Sequence, residues 1–247
     1  MKFKSSLLVV GFVIVTFGLS QAQENTPAEK SGSAELLSKL QSKDLTERYA
    51  ALDALRSDPA ALRDPDVKPA LVNLLDRENH QTISGEEEEY AEYVSWLAET
   101  VAKVVDWNDP HQVCILADSV DLPDELADHA KASIPCLLRR YKNASSLMRG
   151  PIVATMVQAL AKGEKDLEPT MIQTVQGKIV SALKDRNAGV KIDVIKALGE
   201  FGKADMILVL SEVAENDPDP YDKKLADKAI VAIHQRTQQQ QTPSARH

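Results

Sequence analysis

Four residues near the middle of the chain, His111, Cys114, His129 and Cys136, carry side chains that bind metals or cross-link. His111 and Cys114 stand three apart and share one face of a helix; His129 and Cys136, seven apart, share a face of the next. Two imidazoles and two thiolates complete a tetrahedral zinc site in principle, but this spacing matches no familiar zinc motif, and Pro135 disturbs the second face. A Cys114–Cys136 disulfide needs Cα atoms within about 7 Å, which neighbouring antiparallel helices provide. Two buried, unreacted thiols are the third reading. The residues alone leave all three open.

Acidic and aromatic clusters come next. Asp217, Asp219 and Asp222 suggest a calcium loop, but no Gly stands at its sixth place and Lys228 replaces the closing Glu, so helix capping explains these acids better. Asp121, Asp124, Glu125, Asp128 and His129 surround a helix start after Pro123. The run Glu86–Glu89 reads as a helix opening, where negative charge meets the positive end of the dipole, or as an attractor for a cation or a basic partner. Tyr90, Tyr93, Trp96 and Trp107 concentrate four of the few aromatics in a short span. Tyr93, Trp96, Thr100, Val101 and Val104 keep helical spacing, which favours a core stripe, while exposed aromatics are common interface anchors. These four are therefore the candidate binding aromatics. Asn143-Ala144-Ser145 fits a glycosylation acceptor. The sequence contains no phosphate-cradling glycine loop, no Gly-x-Ser-x-Gly elbow and no His-Glu-x-x-His helix, and no nucleophile stands beside a base. Nothing argues for an enzyme, a cofactor or a metal.

Helices must position these groups. In Ile179–Gly202 one apolar stripe ends at Asp185 and Asn187, residue types that cap helix starts. A second stripe follows through Val190, Val194, Ile195, Ala197, Leu198 and Phe201, and Gly202 stands where a C-terminal cap is wanted. The same plan recurs near the start, through Leu36–Leu40, Lys43-Asp44 and Arg48–Leu55, and near the end, through Leu208–Glu215 and Leu225–Ile233. Small-then-aliphatic pairs mark the second helices: Ala54-Leu55, Ala159-Leu160, Ala197-Leu198 and Ala232-Ile233. The last three are 38 and 35 residues apart, a period that belongs to stacked helical units. Asp precedes Pro at Asp58, Asp64, Asp109, Asp217 and Asp219, a favoured helix opening. No stretch alternates with period two, so a sheet is not expected.

Ala182-Leu183-Lys184-Asp185-Arg186-Asn187, leading to Val190-Lys191 and Ala197-Leu198-Gly199, is similar to a HEAT repeat. Pro69 and Pro135 resemble the proline that kinks a repeat's first helix, and Asp44 and Arg48 match the acidic and basic positions loosely. The resemblance is good over two repeats and implies an all-α fold, an α-solenoid of stacked antiparallel helical hairpins, with about four to five hairpins of roughly 40 residues. It also implies a concave face used for binding. Some relatives of this repeat type act on bilin cofactors as lyases, so the resemblance keeps a cofactor-handling enzyme as the alternative, beside a purely structural repeat.

The N-terminus bears on compartment. Lys2 and Lys4 precede an apolar run, Leu7–Leu19, and Ser20-Gln21-Ala22 offers small residues for a signal peptidase. The run is shorter than the roughly 20 residues of a membrane-spanning helix, although an uncleaved anchor is the other reading. The expected organisation is a signal peptide over residues 1–22, a disordered lead-in over 23–32, the solenoid over 33–236 and a polar tail over 237–247. The expected localisation is periplasmic or secreted. Cleavage removes Lys2 and Lys4 and no acid, taking the formal charge from −8 to −10. So acidic a chain lacks the basic footprint for nucleic acid or anionic lipid. The expected function is a protein- or peptide-binding scaffold, adaptor or assembly factor, with a partner more basic than acidic and no membrane insertion after cleavage.

Overall fold

A computed structural model describes residues 27–80, 87–119, 121–122 and 124–241. Among them are twelve α-helices and no strand: α1 (Pro27–Leu40), α2 (Leu45–Ser57), α3 (Val67–Asn79), α4 (Glu87–Ala102), α5 (Pro110–Ala117), α6 (Glu125–Asp128), α7 (Ala130–Asn143), α8 (Ser146–Gly163), α9 (Pro169–Leu183), α10 (Ala188–Phe201), α11 (Ile207–Asn216) and α12 (Pro220–Gln241). Consecutive helices pair as hairpins. Five such pairs result among the described residues, at the upper end of the four to five expected: α1/α2, α3/α4, α7/α8, α9/α10 and α11/α12. The short α5 packs on α7 and the one-turn α6 on α7 and α8, and the two make at most slight contact with each other.

The hairpins stack in two layers. In the second layer α10 packs extensively against both α8 and α12, and α6 against α8. In the first layer α3 meets α5 and α5 meets α7, but α7, α9 and α11 make at most slight contact with one another. Close second helices and splayed first helices curve the C-terminal half with α8, α10 and α12 inside. Leu52, Leu55, Tyr93, Leu97, Leu126, Ile152, Val194, Leu198 and Ile233 belong to one continuous buried core running through the stack. No single hairpin buries its apolar face alone, and stacking does it for all of them. The chain is a HEAT/armadillo-like α-solenoid.

Local chemistry explains the hairpin ends. Asp44, Asp109 and Asn187 accept a hydrogen bond from the backbone N–H two residues on, at 2.8, 2.9 and 2.9 Å, and open α2, α5 and α10. Of the five Asp-Pro pairs, those at Asp109 and Asp219 start α-helices. Asp58, Asp64 and Asp217 make the same bond in the turns, each at 2.9 Å. Proline lacks an N–H, so the side chain takes the next free donor. Pro69 falls in the first turn of α3, where that loss is harmless, and Pro135 lies inside α7.

The expected boundaries move at both ends. Helix α1 starts at Pro27 rather than beyond residue 32, since Ala28-Glu29-Lys30 favours helix and Pro27 suits a first position. Helix α12 continues through the glutamines to Gln241, past the boundary expected at 237, because glutamine is a fair helix former. Residues 1–22 lie outside the described residues.

Candidate functional site

Helix α6 is one turn long, packs on α7 and α8, and makes at most slight contact with α4. The second layer is therefore underfilled between α4 and α6. A groove of about 360 Å³ opens there, lined by Ser95, Glu99, Lys103, Asp121, Leu122, Asp124 and Glu125. Four carboxylates face one ammonium. Asp121, Asp124, Glu125 and Lys103 form no ion pair among the described residues, so three acids remain uncommitted. Glu99 is engaged: Arg56 of α2 donates to its Oε2 at 2.8 Å while lying 4.4 Å over the Trp96 ring. Trp96 is half-buried beside the groove and carries a guanidinium on its face.

The aromatics foreseen as a binding patch divide. Tyr90, Tyr93 and Trp96 share α4, and the ring of Tyr49 of α2 lies edge-on to Tyr93 and to Trp96, each at 5.5 Å. Tyr93 is fully buried. Arg48 sits 4.9 Å over its ring and 5.7 Å over that of Tyr90. Glu78 of α3, also buried, accepts from Arg48, Arg77 and the Tyr90 hydroxyl, so one carboxylate ties α2, α3 and α4 together. Burial, together with Glu92 and Glu89, pushes the Tyr49 hydroxyl up to about 12. Burial first, and Glu78 next, raises Tyr90 and Tyr93 further. This cluster is chiefly a packing wedge, and Trp96 is the member closest to the acidic groove.

Trp107 stands apart. It follows α4 and stacks on the exposed His129 ring, with centroids 3.9 Å apart and planes within 10°. His111 is exposed near the start of α5. The structure joins Cys114 and Cys136 in a disulfide with Cα atoms 5.0 Å apart, stapling α5 to α7. Among the described residues no group of three or more His, Cys, Asp or Glu is set to hold a metal ion. The acid run opens α4 from Glu87; Glu86 lies outside the described residues.

Asp217 and Asp222 have a different role. Both pair with Lys191 of α10, at 2.7 and 2.6 Å, in a cluster where Asp222 is fully buried. Sequence reasoning missed this lysine as well as Glu78, Arg56 and Glu99. Lys191, at least, carried a signal: a base in the first turn of α10, between Val190 and Ile192, in the pair Val190-Lys191 that resembles a HEAT repeat.

No family model and no curated protein matches the sequence. Among solved structures, a designed armadillo repeat protein in complex with the peptide (KR)4 aligns at 15% identity, over 81% of this chain and 98% of its own, with a TM-score of 0.43. A second designed armadillo repeat protein aligns at 15% identity with the same coverage and a TM-score of 0.37. Likenesses this loose carry no weight for function. The solenoid stands on its own hairpin order and contacts.

Proposed function

We propose that this chain is an exported scaffold that binds a lysine- or arginine-rich segment of a protein or peptide in the groove between α4 and α6. One observation carries the reading: Asp121, Asp124 and Glu125 line an open groove where four carboxylates meet the single ammonium of Lys103, and none of the three is ion-paired among the described residues. Carboxylates crowded on a wall make the local potential more negative and attract a basic partner, more for rate and selectivity than for raw affinity. Export is supported by the apolar run Leu7–Leu19 with its Ala22 exit and by the Cys114–Cys136 disulfide, a cross-link typical of oxidising compartments.

The test is anisotropy of a labelled peptide rich in lysine and arginine, titrated with the full chain at several salt concentrations. Replacing Asp121, Asp124 and Glu125 by Asn, Asn and Gln should weaken binding at least about tenfold, and salt should weaken it further. Glu215→Gln with Asp227→Asn, on the last hairpin, should change it little. Equal losses from both sets would mean non-specific attraction to an acidic surface and would end the groove assignment. N-terminal sequencing of the chain from its host's exported fraction should begin at Gln23; an intact chain found only inside the cell would refute export.

A further inference from the structure

The turn between α7 and α8 opens on a second cleft, of about 390 Å³, lined by Asp118, Arg139, Arg140, Asn143, Ser145 and Met148. Its charge is opposite to that of the first groove. Arg139 takes the only carboxylate: its Nη2 donates to Asp118 Oδ2 at 2.6 Å and reaches the Cys114 carbonyl at 3.4 Å. Arg140 has no ion-pair partner among the described residues and donates its Nη1 to the Ala117 carbonyl at the end of α5. Half-buried, its guanidinium is held below the usual arginine range by burial, with Asp118 acting against the shift.

A partly buried cation whose nearest carboxylate, Asp118, is bonded by another guanidinium remains costly. The end of α5 offsets only part of this, since a helix terminus carries about half an elementary charge. The Asn143 amide and the Ser145 hydroxyl, both exposed on the same rim, have no partner among the described residues, and the Ser145 side chain does not cap α8. The disulfide fixes α5 on α7 about one turn before the two arginines and so aims both guanidiniums at this rim. A planar fork of N–H donors flanked by a hydroxyl and an amide matches the oxygens of a tetrahedral anion.

We infer that this cleft binds a small tetrahedral oxyanion, of the phosphate class, with Arg140 as its principal ligand and Asn143 and Ser145 as supporting donors. The site shares no residue with the α4–α6 groove and stands or falls separately. The probe is inorganic phosphate, titrated against the full chain at constant ionic strength in a thermal-shift assay, with chloride as reference and with sulfate and O-phosphoserine as further arms. Phosphate should raise Tm saturably by about 3 °C near tenfold excess over Kd. Phosphoserine acting more strongly would identify a phosphate monoester as the group, and phosphate or sulfate acting equally well would identify the free ion. Arg140→Gln should abolish the shift and Arg140→Lys should keep part of it. Asn143→Ala and Ser145→Ala, on the exposed rim, should each raise the phosphate Kd about fivefold. No saturable shift beyond chloride, or a shift unchanged in Arg140→Gln and Ser145→Ala, overturns the inference.

Discussion

Lys191→Met tests how the last hairpin is held. One ammonium lies 2.7 Å from Asp217 and 2.6 Å from Asp222, whose side chains are 9% and 0% exposed. Burial disfavours the charge on Lys191, but the two carboxylates outweigh it and hold its pKa above the ordinary lysine value. Burial likewise works against Asp217, and the bond from Lys191 outweighs it, holding that carboxyl below the ordinary value. The signs follow. Asp217, depressed, contributes stability above the ordinary carboxylate pKa of about 3.9 and loses it as pH falls through the folded value. Lys191, raised, contributes below about 10.4 and loses it as pH rises through the folded value.

The native cluster has one positive and two negative groups. Methionine keeps the stem and removes the cation, leaving two buried carboxylates facing each other. Removing one partner of a buried pair costs about 3–5 kcal/mol, and the slight exposure of Asp217 puts Lys191→Met near the lower figure at pH 7. Asp217→Asn has the opposite effect on the balance: it removes the surplus charge and keeps Oδ1 for the Asp219 N–H at 2.9 Å. Its expected cost is about 1 kcal/mol. Urea unfolding followed by circular dichroism gives both numbers, and amide exchange shows whether α11 and α12 open first. The Lys191→Met deficit should shrink in acid, because Asp217, held below its ordinary value by the lysine in the native protein, binds its proton more readily once that lysine is gone. A deficit no larger than that of Asp217→Asn, or one that does not shrink in acid, would show that water rather than lysine satisfies these acids.

Three further outcomes can be measured directly. Reducing the Cys114–Cys136 disulfide, which closes a loop 22 residues long, should cost about 3 kcal/mol in urea unfolding with and without reductant. Gly163→Ala should destabilise by about 1–3 kcal/mol, because its Cβ would lie 2.6 Å from that of Ala130, while Gly177→Ala, with nothing within 4 Å, should stabilise by about 0.5–1 kcal/mol; thermal melts of the pair separate crowding from helix propensity. With Tyr49 pushed up to about 12 and Tyr90 and Tyr93 raised further, three of the five tyrosines should resist ionisation until well above the ordinary value near 10, and the stability they contribute below it should fade as pH rises toward 12; alkaline difference absorbance with one five-tyrosine step near 10 would refute this.

Much of the architecture was readable because the repeat marks its own register. Ala54-Leu55, Ala159-Leu160, Ala197-Leu198 and Ala232-Ile233 fall on α2, α8, α10 and α12, all second helices of hairpins. The two second-layer helices that escaped notice carry the pair reversed, as Leu97-Ala98 in α4 and Leu126-Ala127 in α6. Those four residues are buried, so the packing is retained while the order that reveals it is lost. A helix of one turn also shows no periodicity to detect, which hid α6 and the irregular step it makes with α5. Side-chain networks were harder still. Glu78 looks like one more surface acid at the end of α3, and only folding brings Arg48 and Tyr90 to it from two other helices. The separation of Trp107 from the other aromatics was equally hidden, because its position depends on the turn between α4 and α5.

The regular steps of the stack also explain why the irregular one is the place to look for binding. At two successive steps an aspartate in a hairpin turn performs a double task. Asp185 accepts the Asn187 N–H on Oδ1 and Arg149 of α8 on Oδ2, at 2.9 and 2.7 Å; Asp217 accepts the Asp219 N–H on Oδ1 and Lys191 of α10 on Oδ2, again at 2.9 and 2.7 Å. Turn geometry and stacking are thus tied to the same carboxylate, and neither acid is free for a partner. At the α5–α6 turn the pattern fails. Asp118 is taken by Arg139 of a first-layer helix, and α6 is too short to carry the ladder onward, so Asp121, Asp124 and Glu125 form no ion pair among the described residues. Charge that the repeat elsewhere spends on its own architecture is here turned toward solvent, beside a gap in the second layer. Lengthening α6 by a turn would close that gap, and on this reasoning it would stabilise the stack while removing the basic partner's seat.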